Sequence, residues 1–240
     1  MNRIPMIKFF RNIRANLLED GKFRKYLKYA VGEILLVVIG ILIAVQINNW
    51  NVKHQNTKKE ILYLTRLTTN LGYDKRLYES IIKEDSLLLV QLSQAQEDVL
   101  GFVRQINDPA SDLKFLSIGY NFAPNRTTID NLISSGQIEI LRSNYLVEDI
   151  FLYYRTAAYI EKGDDGSLAD HNMEVFNNLI LDFNQKKAIE DGYLNRLENS
   201  IQYKIGLIEN QMVWYQKQYT FADDLIGRIN EEIAYIRGKR

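Results

Sequence analysis

The chain has 240 residues, 46% of them hydrophobic, with no cysteine and with 30 basic against 30 acidic side chains. The lack of cysteine excludes disulfides and thiol chemistry, and only 3 prolines and 13 glycines argue against a β-sandwich or barrel with many tight turns. The charge is unevenly distributed: residues 1–28 carry eight Lys or Arg against two acids, a net of +6, so the remainder carries −6.

Residues 1–28 predict a basic amphipathic helix. Apolar side chains recur at helical spacing between Pro5 and Gly21, opposite a cationic face. Beside a membrane span, such a helix lies flat on the cytoplasmic leaflet, with its cations at anionic headgroups. We expect the lipid bilayer, and not nucleic acid, as its partner, since no base-reading motif accompanies the cations. The basic residues assigned to this inner-leaflet face are Lys8, Arg11, Arg14, Lys22, Arg24, Lys25 and Lys28.

Residues 29–50 read YAVGEILLVVIGILIAVQINNW and predict one transmembrane helix. The middle of this stretch, Ile34 to Val45, has no polar side chain. At about 1.5 Å per residue the helix covers roughly 31 Å, close to the thickness of a bilayer's hydrocarbon core. Tyr26 and Tyr29 fit the inner interface of the membrane, and Trp50 fits the outer one.

A cleaved signal peptide is the competing interpretation of this segment. Cleavage requires small residues after the apolar run, but Ala44 has the bulky Leu42 two positions before it, and Gln46 and Ile47 follow. We therefore expect an uncleaved signal anchor. The excess of Lys and Arg before the span predicts a cytoplasmic N-terminus and a domain of residues 51–240 on the outer side.

One face of the predicted span carries small and polar residues. Glu33, Val37, Gly40, Ala44 and Asn48 fall on this face by steps of three or four, and Gly40-x-x-x-Ala44 is a small-xxx-small pair that lets helices approach closely. The hypothesis is a packing face for a second copy or a partner helix. The alternative is that Glu33 merely reaches a nearby lysine or the lipid surface, and that Gly40 is incidental.

Beyond the span, a heptad pattern predicts a long helix over about 57–106. Thirteen positions in this frame, from Leu64 to Ile106, are apolar except for Asp74 and Asp85. These two acids either lie at solvated positions or force a partner helix into one register. The intervening segment has no helix breaker, so whether this helix is continuous with the span stays open.

The rest of the outer domain is predicted as an irregular loop, short helices and a long C-terminal helix. Pro and Gly residues break the pattern over 107–125, and short helices are expected over 127–190. Apolar residues then step by three and four from Ile201 to Ile236, which predicts a long helix or helix pair over about 195–238. The expected fold is all-α, a long-helix antiparallel bundle with coiled-coil-like seams.

Local signals support the start and end of one short helix. Thr127-x-x-Asp130 resembles a capping box, and Gly136 suits the end of a helix. The GDDG sequence at Gly163 to Gly166 is expected to be a solvated helix connector, because it lacks the alternating oxygen ligands of a calcium loop.

No catalytic, cofactor-binding or metal site is predicted. The only two histidines, His54 and His171, are 117 positions apart, and a zinc site needs more ligands. The 15 tyrosines either line a ligand groove or pack in the core with their hydroxyls at the rim, and the second interpretation is favoured.

Three segments resemble a large family of uncharacterised bacterial single-pass membrane proteins: FFRNIR, KYLKYAVGEILLVVIGILIAVQINNWN and TTIDNLISSGQIEILRSNYLVEDIFLYY. Members of this family begin with a similar basic helix and the YA-x-GEI, VVIGILIA and INNWN motifs. The resemblance implies an inner-membrane anchor with a helical periplasmic domain, and it implies no activity. Arg142-Ser143-Asn144 departs slightly from the family pattern, which leaves the start of the following helix open by a residue or two.

These features favour a membrane-anchored helical scaffold or accessory protein that forms a homo-oligomer or binds a membrane protein partner. The alternative is a periplasmic sensor bundle that binds a small molecule and acts through a separate signalling partner, because residues 1–28 are too few to form a kinase. A pocket lined by converging polar groups would favour the sensor, and an exposed apolar seam would favour the scaffold. An enzyme is the least favoured class.

Overall fold

The computed structural model describes residues 23–184 and 191–239. The described residues are predominantly helical and contain no strand, so the prediction of an all-α protein is confirmed. The chain divides into two compact units, Met1–Thr57 and Lys58–Arg240.

The first described helix, α1, spans Phe23–Glu97 and is 75 residues long. It contains both the predicted span and most of the predicted heptad helix. An 18-residue window within α1 has a mean hydropathy of 2.6 and no buried residue, which makes α1 a candidate membrane span by length and composition. Every side chain from Ile34 to Val45 is exposed.

The second unit contains the end of α1 and the remaining helices. These are α2 (Val99–Gln105), α3 (Pro109–Asp112), α4 (Lys114–Ser117), α5 (Thr127–Ser134), α6 (Asn144–Gly163), α7 (Ala169–Val175) and α8 (Asp191–Gly238). A 3-10 turn, Gln137–Ile140, precedes α6, and two π-helical segments, Asp164–Leu168 and Phe176–Ile180, flank α7.

The heptad frame of α1 describes its buried face within the second unit. All ten frame positions from Leu64 to Ala95 are buried, including Asp74 and Asp85, which are 0% and 1% exposed. The interpretation of these acids as solvated is therefore wrong. Burial of a carboxylate lowers the stability of the folded state unless hydrogen bonds or opposite charges compensate for it, so the contacts of both acids are described below.

Helix α8 buries two parallel rows of side chains. The first row belongs to the apolar series that the sequence predicts. Ile201, Ile208, Tyr215, Ala222 and Ile229 are each 0% exposed. The second row repeats every seven positions and is partly polar: Lys204, Gln211, Gln218 and Leu225.

Three clusters of buried side chains form the core. One joins Tyr63 to Leu71 of α1 with Ala222 to Ile236 of α8 and with residues of α5 and α6. A second joins Leu88 to Ala95 of α1 with the beginning of α8. The third, between them, contains Tyr78, Phe122 and Tyr215, in which the Tyr78 and Phe122 rings stack with centroids 3.9 Å apart.

The connecting regions differ from the sequence expectations. The helices α2, α3 and α4 lie in the segment 98–125, where the sequence predicts the end of a long helix and a loop. The proposed capping box is absent: Arg126 is the N-cap of α5, and no side-chain cap hydrogen bond forms there. Gly136 has a φ of 66°, the left-handed conformation that glycine adopts easily, just after α5 ends.

An ion pair between the buried Glu60 and the exposed Arg142 fixes the segment before α6 against α1. Glu60 is 1% exposed, and its carboxylate accepts hydrogen bonds from the Arg142 backbone N–H at 2.9 Å and from Arg142 Nε at 2.7 Å. Arg142 Nη2 lies 2.6 Å from the same carboxylate. Arg142 therefore has a structural role in this domain.

Candidate functional site

The predicted packing face of the span lies on α1, and its side chains are solvent-exposed. Glu33, Val37, Ala44 and Asn48 are exposed, and a Cβ added at Gly40 would meet nothing within 4 Å. Space for a close-packed partner therefore exists at Gly40, and the face itself stays a prediction.

Of the predicted membrane-interface residues, the structure describes few side chains. Trp50 is 66% exposed and stacks on His54, with ring centroids 5.7 Å apart. Lys28 is exposed. The other residues predicted for the membrane interface lie outside those whose side chains are described: Tyr26, Tyr29, Lys8, Arg11, Arg14, Lys22, Arg24 and Lys25.

Inside the second unit, Asp74 is a buried carboxylate with two hydrogen bonds. It accepts one from the Asn125 backbone N–H at 2.8 Å and one from the Tyr153 hydroxyl at 2.9 Å. Burial raises the pKa of Asp74 to about 6, and the two hydrogen bonds oppose this rise. Asp74 thus ties the segment before α5 and the middle of α6 to α1.

Asp85, by contrast, is buried with neither carboxylate oxygen hydrogen-bonded. Burial, together with the nearby charge of Asp164, raises the pKa of Asp85 to about 7, and the charge of Lys204 opposes this rise. An acid that titrates near neutral pH in a helical core is a marker of a functional or strained position.

Lys204 is 0% exposed, and its ammonium group points at oxygens of the α4 region. Nζ donates to the Leu116 carbonyl at 2.7 Å, to the Ile118 carbonyl and to Asn172 Oδ1 at 2.9 Å. Burial lowers the pKa of Lys204 to about 7, although the charge of Asp85 favours the protonated form. Lys204 therefore holds α4 and α7 against α8.

Asp164, Tyr215 and Gln211 form a hydrogen-bonded chain next to this core. The Tyr215 hydroxyl donates to Asp164 Oδ2 at 2.5 Å, and Gln211 Nε2 donates to the same hydroxyl at 2.7 Å and to the Tyr120 carbonyl at 3.2 Å. These bonds fix the orientation of the Gln211 amide. Its Oε1 is buried and has no hydrogen-bond partner.

Two of these three residues, Asp164 and Gln211, line a groove between α8 and the end of α6 with its π-helical continuation. The groove has a volume of about 510 Å³. Asp164 and Gln211, each 7% exposed, lie in its wall with the aromatic rings of Tyr159 and Trp214. Lys162 and Asn210 complete the polar part of the lining.

Sequence reasoning missed this groove because it interpreted GDDG as a solvated connector. The backbone instead stays helical through Gly163 and continues as the π segment Asp164–Leu168, and Asp164 is buried. The expectation that tyrosine hydroxyls lie at the rim is also wrong for Tyr153 and Tyr215, which are 0% exposed and bonded to buried acids. Lys204 and Gln211 are seven positions apart, so they lie on the same face of α8, and this spacing was the sequence signal for a second buried row.

Among the described residues, no three His, Cys, Asp or Glu side chains converge as metal ligands. These observations define an all-helical domain with a polar core, preceded by an apolar helix that qualifies as a candidate membrane span.

The chain belongs to DUF6090, a family of unknown function, which matches residues 33–206. The resemblance to an uncharacterised family is confirmed at this level. No curated protein and no solved structure matches the chain.

Proposed function

We propose that this protein is a non-enzymatic, membrane-anchored helical scaffold or accessory protein. Residues 29–50 cross the bacterial inner membrane, the N-terminus is cytoplasmic, and residues 51–240 are periplasmic. The observation that carries the proposal is the continuous exposed apolar surface of Ile34 to Val45. Transfer of such a surface from water into lipid is favourable by about 25 cal/mol for each Å² of apolar area. A segment of this length and composition is therefore more stable across a bilayer than in water.

Within the periplasmic part, α1 and α8 run antiparallel as the two long members of a bundle with heptad seams. The order of the core contacts supports this arrangement. Residues from Tyr63 to Leu71 share a cluster with the end of α8, whereas Leu88 to Ala95 share one with its beginning. Lys75 of α1 also pairs with Asp223 of α8.

A protease-protection experiment tests the topology. Protease added to intact spheroplasts should digest the domain that follows the span, and carbonate washing should leave the full-length chain in the membrane fraction. A C-terminal domain that survives in intact spheroplasts, or a chain released by carbonate, contradicts the proposal.

The scaffold acts as a homo-oligomer or with a membrane protein partner through the face of Glu33, Gly40 and Ala44. Gly40→Ile should abolish self-association in a membrane two-hybrid assay, because the larger side chain separates the helices. Gly32→Ile is the matched control, since Gly32 lies eight positions earlier and is offset around the helix from Gly40. An unchanged signal with Gly40→Ile argues against this face.

A small-molecule-binding sensor bundle that signals through a separate partner is the second candidate function. The groove between α6 and α8 favours it, because polar groups converge there with two aromatic walls. Ligand sites in helical bundles form between facing helices in this manner. Ligand-induced stabilisation of the full-length protein against thermal unfolding tests it.

A further inference from the structure

Helix α1 carries an exposed row of side chains on the side opposite its buried heptad frame. This row, called the α1 row below, takes steps of three and four from Leu62 to Gln94, and every member is exposed. It contains all the large apolar side chains that α1 exposes within the second unit, which are Leu62, Tyr73, Leu87 and Val90. An apolar series of this kind on a solvent face is typical of a surface that another helix covers.

The charged members of the α1 row are all basic: Arg66, Arg76 and Lys83. Among the described residues, none of these three side chains forms an ion pair. A partner that packs on the α1 row must therefore bring acidic side chains to it, because like charges at an interface oppose association.

Helix α8 exposes a row of the opposite character. This α8 row takes steps of three and four from Gly206 to Ala234, and every member is exposed. Every seventh member is small: Gly206, Val213, Thr220, Gly227 and Ala234. A Cβ added at Gly206 or at Gly227 would meet nothing within 4 Å, so another helix can approach α8 closely on this side.

The charged members of the α8 row are all acidic: Glu209, Asp223 and Glu231. Asp223 pairs with Lys75 of α1, whereas Glu209 and Glu231 form no ion pair among the described residues. The two rows are therefore complementary in charge. They are also complementary in size, because the α1 row has large apolar side chains and the α8 row has small residues.

Contacts within the second unit indicate which residues of α1 and α8 lie at the same level. Lys75 pairs with Asp223, and the ring centroids of Tyr78 and Tyr215 are 5.6 Å apart.

Counted in opposite directions from these contacts, the charges of the two rows match. Arg66 is about level with Glu231, and Lys83 is about level with Glu209. Leu62 and Val90 likewise fall at the levels of Ala234 and Gly206.

Two copies that are anchored by the same span in one membrane stand at the same height. The levels found within one chain then also hold between α1 of one copy and α8 of the other. Packing of the α1 row on its own copy would instead bring Arg66, Arg76 and Lys83 opposite themselves. In a two-fold dimer, the contact between unlike rows forms twice.

From this complementarity we propose that the periplasmic domain docks on a second copy of the chain, with the α1 row of each copy on the α8 row of the other. The proposal rests on the membrane-anchored scaffold proposed above, and it names the partner and the contact surface. The surface is separate from the span face that contains Gly40.

Disulfide crosslinking tests this contact in native membranes, because the chain has no cysteine of its own. Two full-length chains with different tags are co-expressed, one with Arg76→Cys and the other with Thr220→Cys. Oxidation of the membranes should give a disulfide-linked product that carries both tags. Arg155→Cys, at an exposed position of α6, replaces Thr220→Cys in the control and should give no such product.

A charge exchange tests whether the complementary charges hold the contact. Arg66→Glu with Lys83→Glu in the Arg76→Cys chain should lower the yield of the product by about fivefold or more. Glu209→Lys with Glu231→Lys in the Thr220→Cys chain should then restore it, because opposite charges face each other again. Arg155→Glu with Lys114→Glu, which are exposed positions outside both rows, is the matched control and should leave the yield unchanged.

Thermal melts by circular dichroism establish that each variant is folded, and carbonate washing of the same membranes reports on the anchor. Absence of the doubly tagged product from chains that stay in the washed membranes would overturn the docking of two copies and leave the anchor standing. Release of the chains by carbonate would overturn both. A disulfide of the Arg76→Cys chain with a different protein would overturn the second copy as the partner.

Discussion

Asp85 is the buried acid of the core whose carboxylate lacks hydrogen bonds, so its burial is expected to lower the free energy of unfolding. It occupies an interior heptad position at 1% exposure, and neither of its oxygens is hydrogen-bonded. Replacing a poorly compensated buried charge with a well-packed apolar residue is often neutral or stabilising. We therefore expect Asp85 to lower the stability of the folded protein.

Asp85→Leu should raise the free energy of unfolding by about 1–3 kcal/mol at pH 8. The folded-state pKa of about 7 lies above the ordinary value of 3.8. At a pH between these two values the carboxyl group is ionised in the unfolded chain and still protonated in the folded one, so the contribution of Asp85 to stability falls as pH rises from 4 to 7. The advantage of the leucine variant should accordingly be smaller at pH 5 than at pH 8.

Urea unfolding followed by circular dichroism at the two pH values measures this difference. Asp170→Leu, at an exposed position, is the control and should change stability little at either pH. A destabilised Asp85→Leu protein at pH 8 would mean that Asp85 has a compensating contact in solution.

Glu60→Gln should lower the free energy of unfolding by about 1.5–3 kcal/mol, because hydrogen bonds to a charged group are the stronger ones. The neutral amide loses the charge that holds the Arg142 guanidinium and presents an NH₂ group toward one donor. Glu79→Gln, at an exposed position of the same helix, serves as control in the same urea titration. Equal stability of the two variants would contradict a structural role for the pair.

Individual buried polar residues were predictable only in part. Asp74 and Asp85 were recognised because they interrupt an apolar heptad pattern. Such a pattern identifies the face of a helix that is buried, but it does not identify the residues that pack against that face. The hydrogen-bond partners of Asp74, which are Asn125 and Tyr153, and the acidic neighbour of Asp85, which is Asp164, come from distant segments, so local periodicity held no information about them.

At the scale of elements, the long helices follow from sequence and the connections between them do not. The final helix was expected over about 195–238, and α8 spans Asp191–Gly238. The helices α3 and α4 have four residues each and too few positions to express a period. Their placement depends on tertiary contacts such as the bonds from Lys204.

Lys204→Met should release α4 from α8 while leaving the long helices formed. The Leu116 and Ile118 carbonyls would lose their donor, at a cost of about 1–3 kcal/mol for each buried polar group left unsatisfied. Hydrogen exchange measured by mass spectrometry should accelerate over Lys114–Ser117 and spare the middle of α8.

Lys83→Met, a substitution at an exposed lysine, is the control for the loss of a positive charge. Unchanged exchange over α4 in the Lys204→Met protein would mean that this ammonium does not hold the segment.

At the scale of the whole molecule, all three core clusters lie within the unit Lys58–Arg240. The unit Met1–Thr57 contributes the apolar exposed stretch instead. A domain with its own core can fold alone, whereas a long exposed apolar stretch causes association in water.

A fragment of residues 58–240 should therefore be soluble without detergent and retain a cooperative helical melt. The full-length chain should require detergent or lipid. Fractionation after ultracentrifugation and circular dichroism melts provide the measurements. Aggregation of the fragment under conditions in which the full-length protein stays folded would contradict an independent core.

The π segment Asp164–Leu168 has a consequence for chain length. A π turn closes its hydrogen bonds over five residues, whereas an α turn closes them over four, so it accommodates one additional residue. A homologous chain shorter by one residue at this point could wind as ordinary α-helix and keep Ile160 and Val175 facing inward. The same deletion within α8 would rotate every later side chain by about 100°. Single-residue gaps near GDDG are thus the form of natural variation that would remodel the groove and preserve the hydrophobic interior.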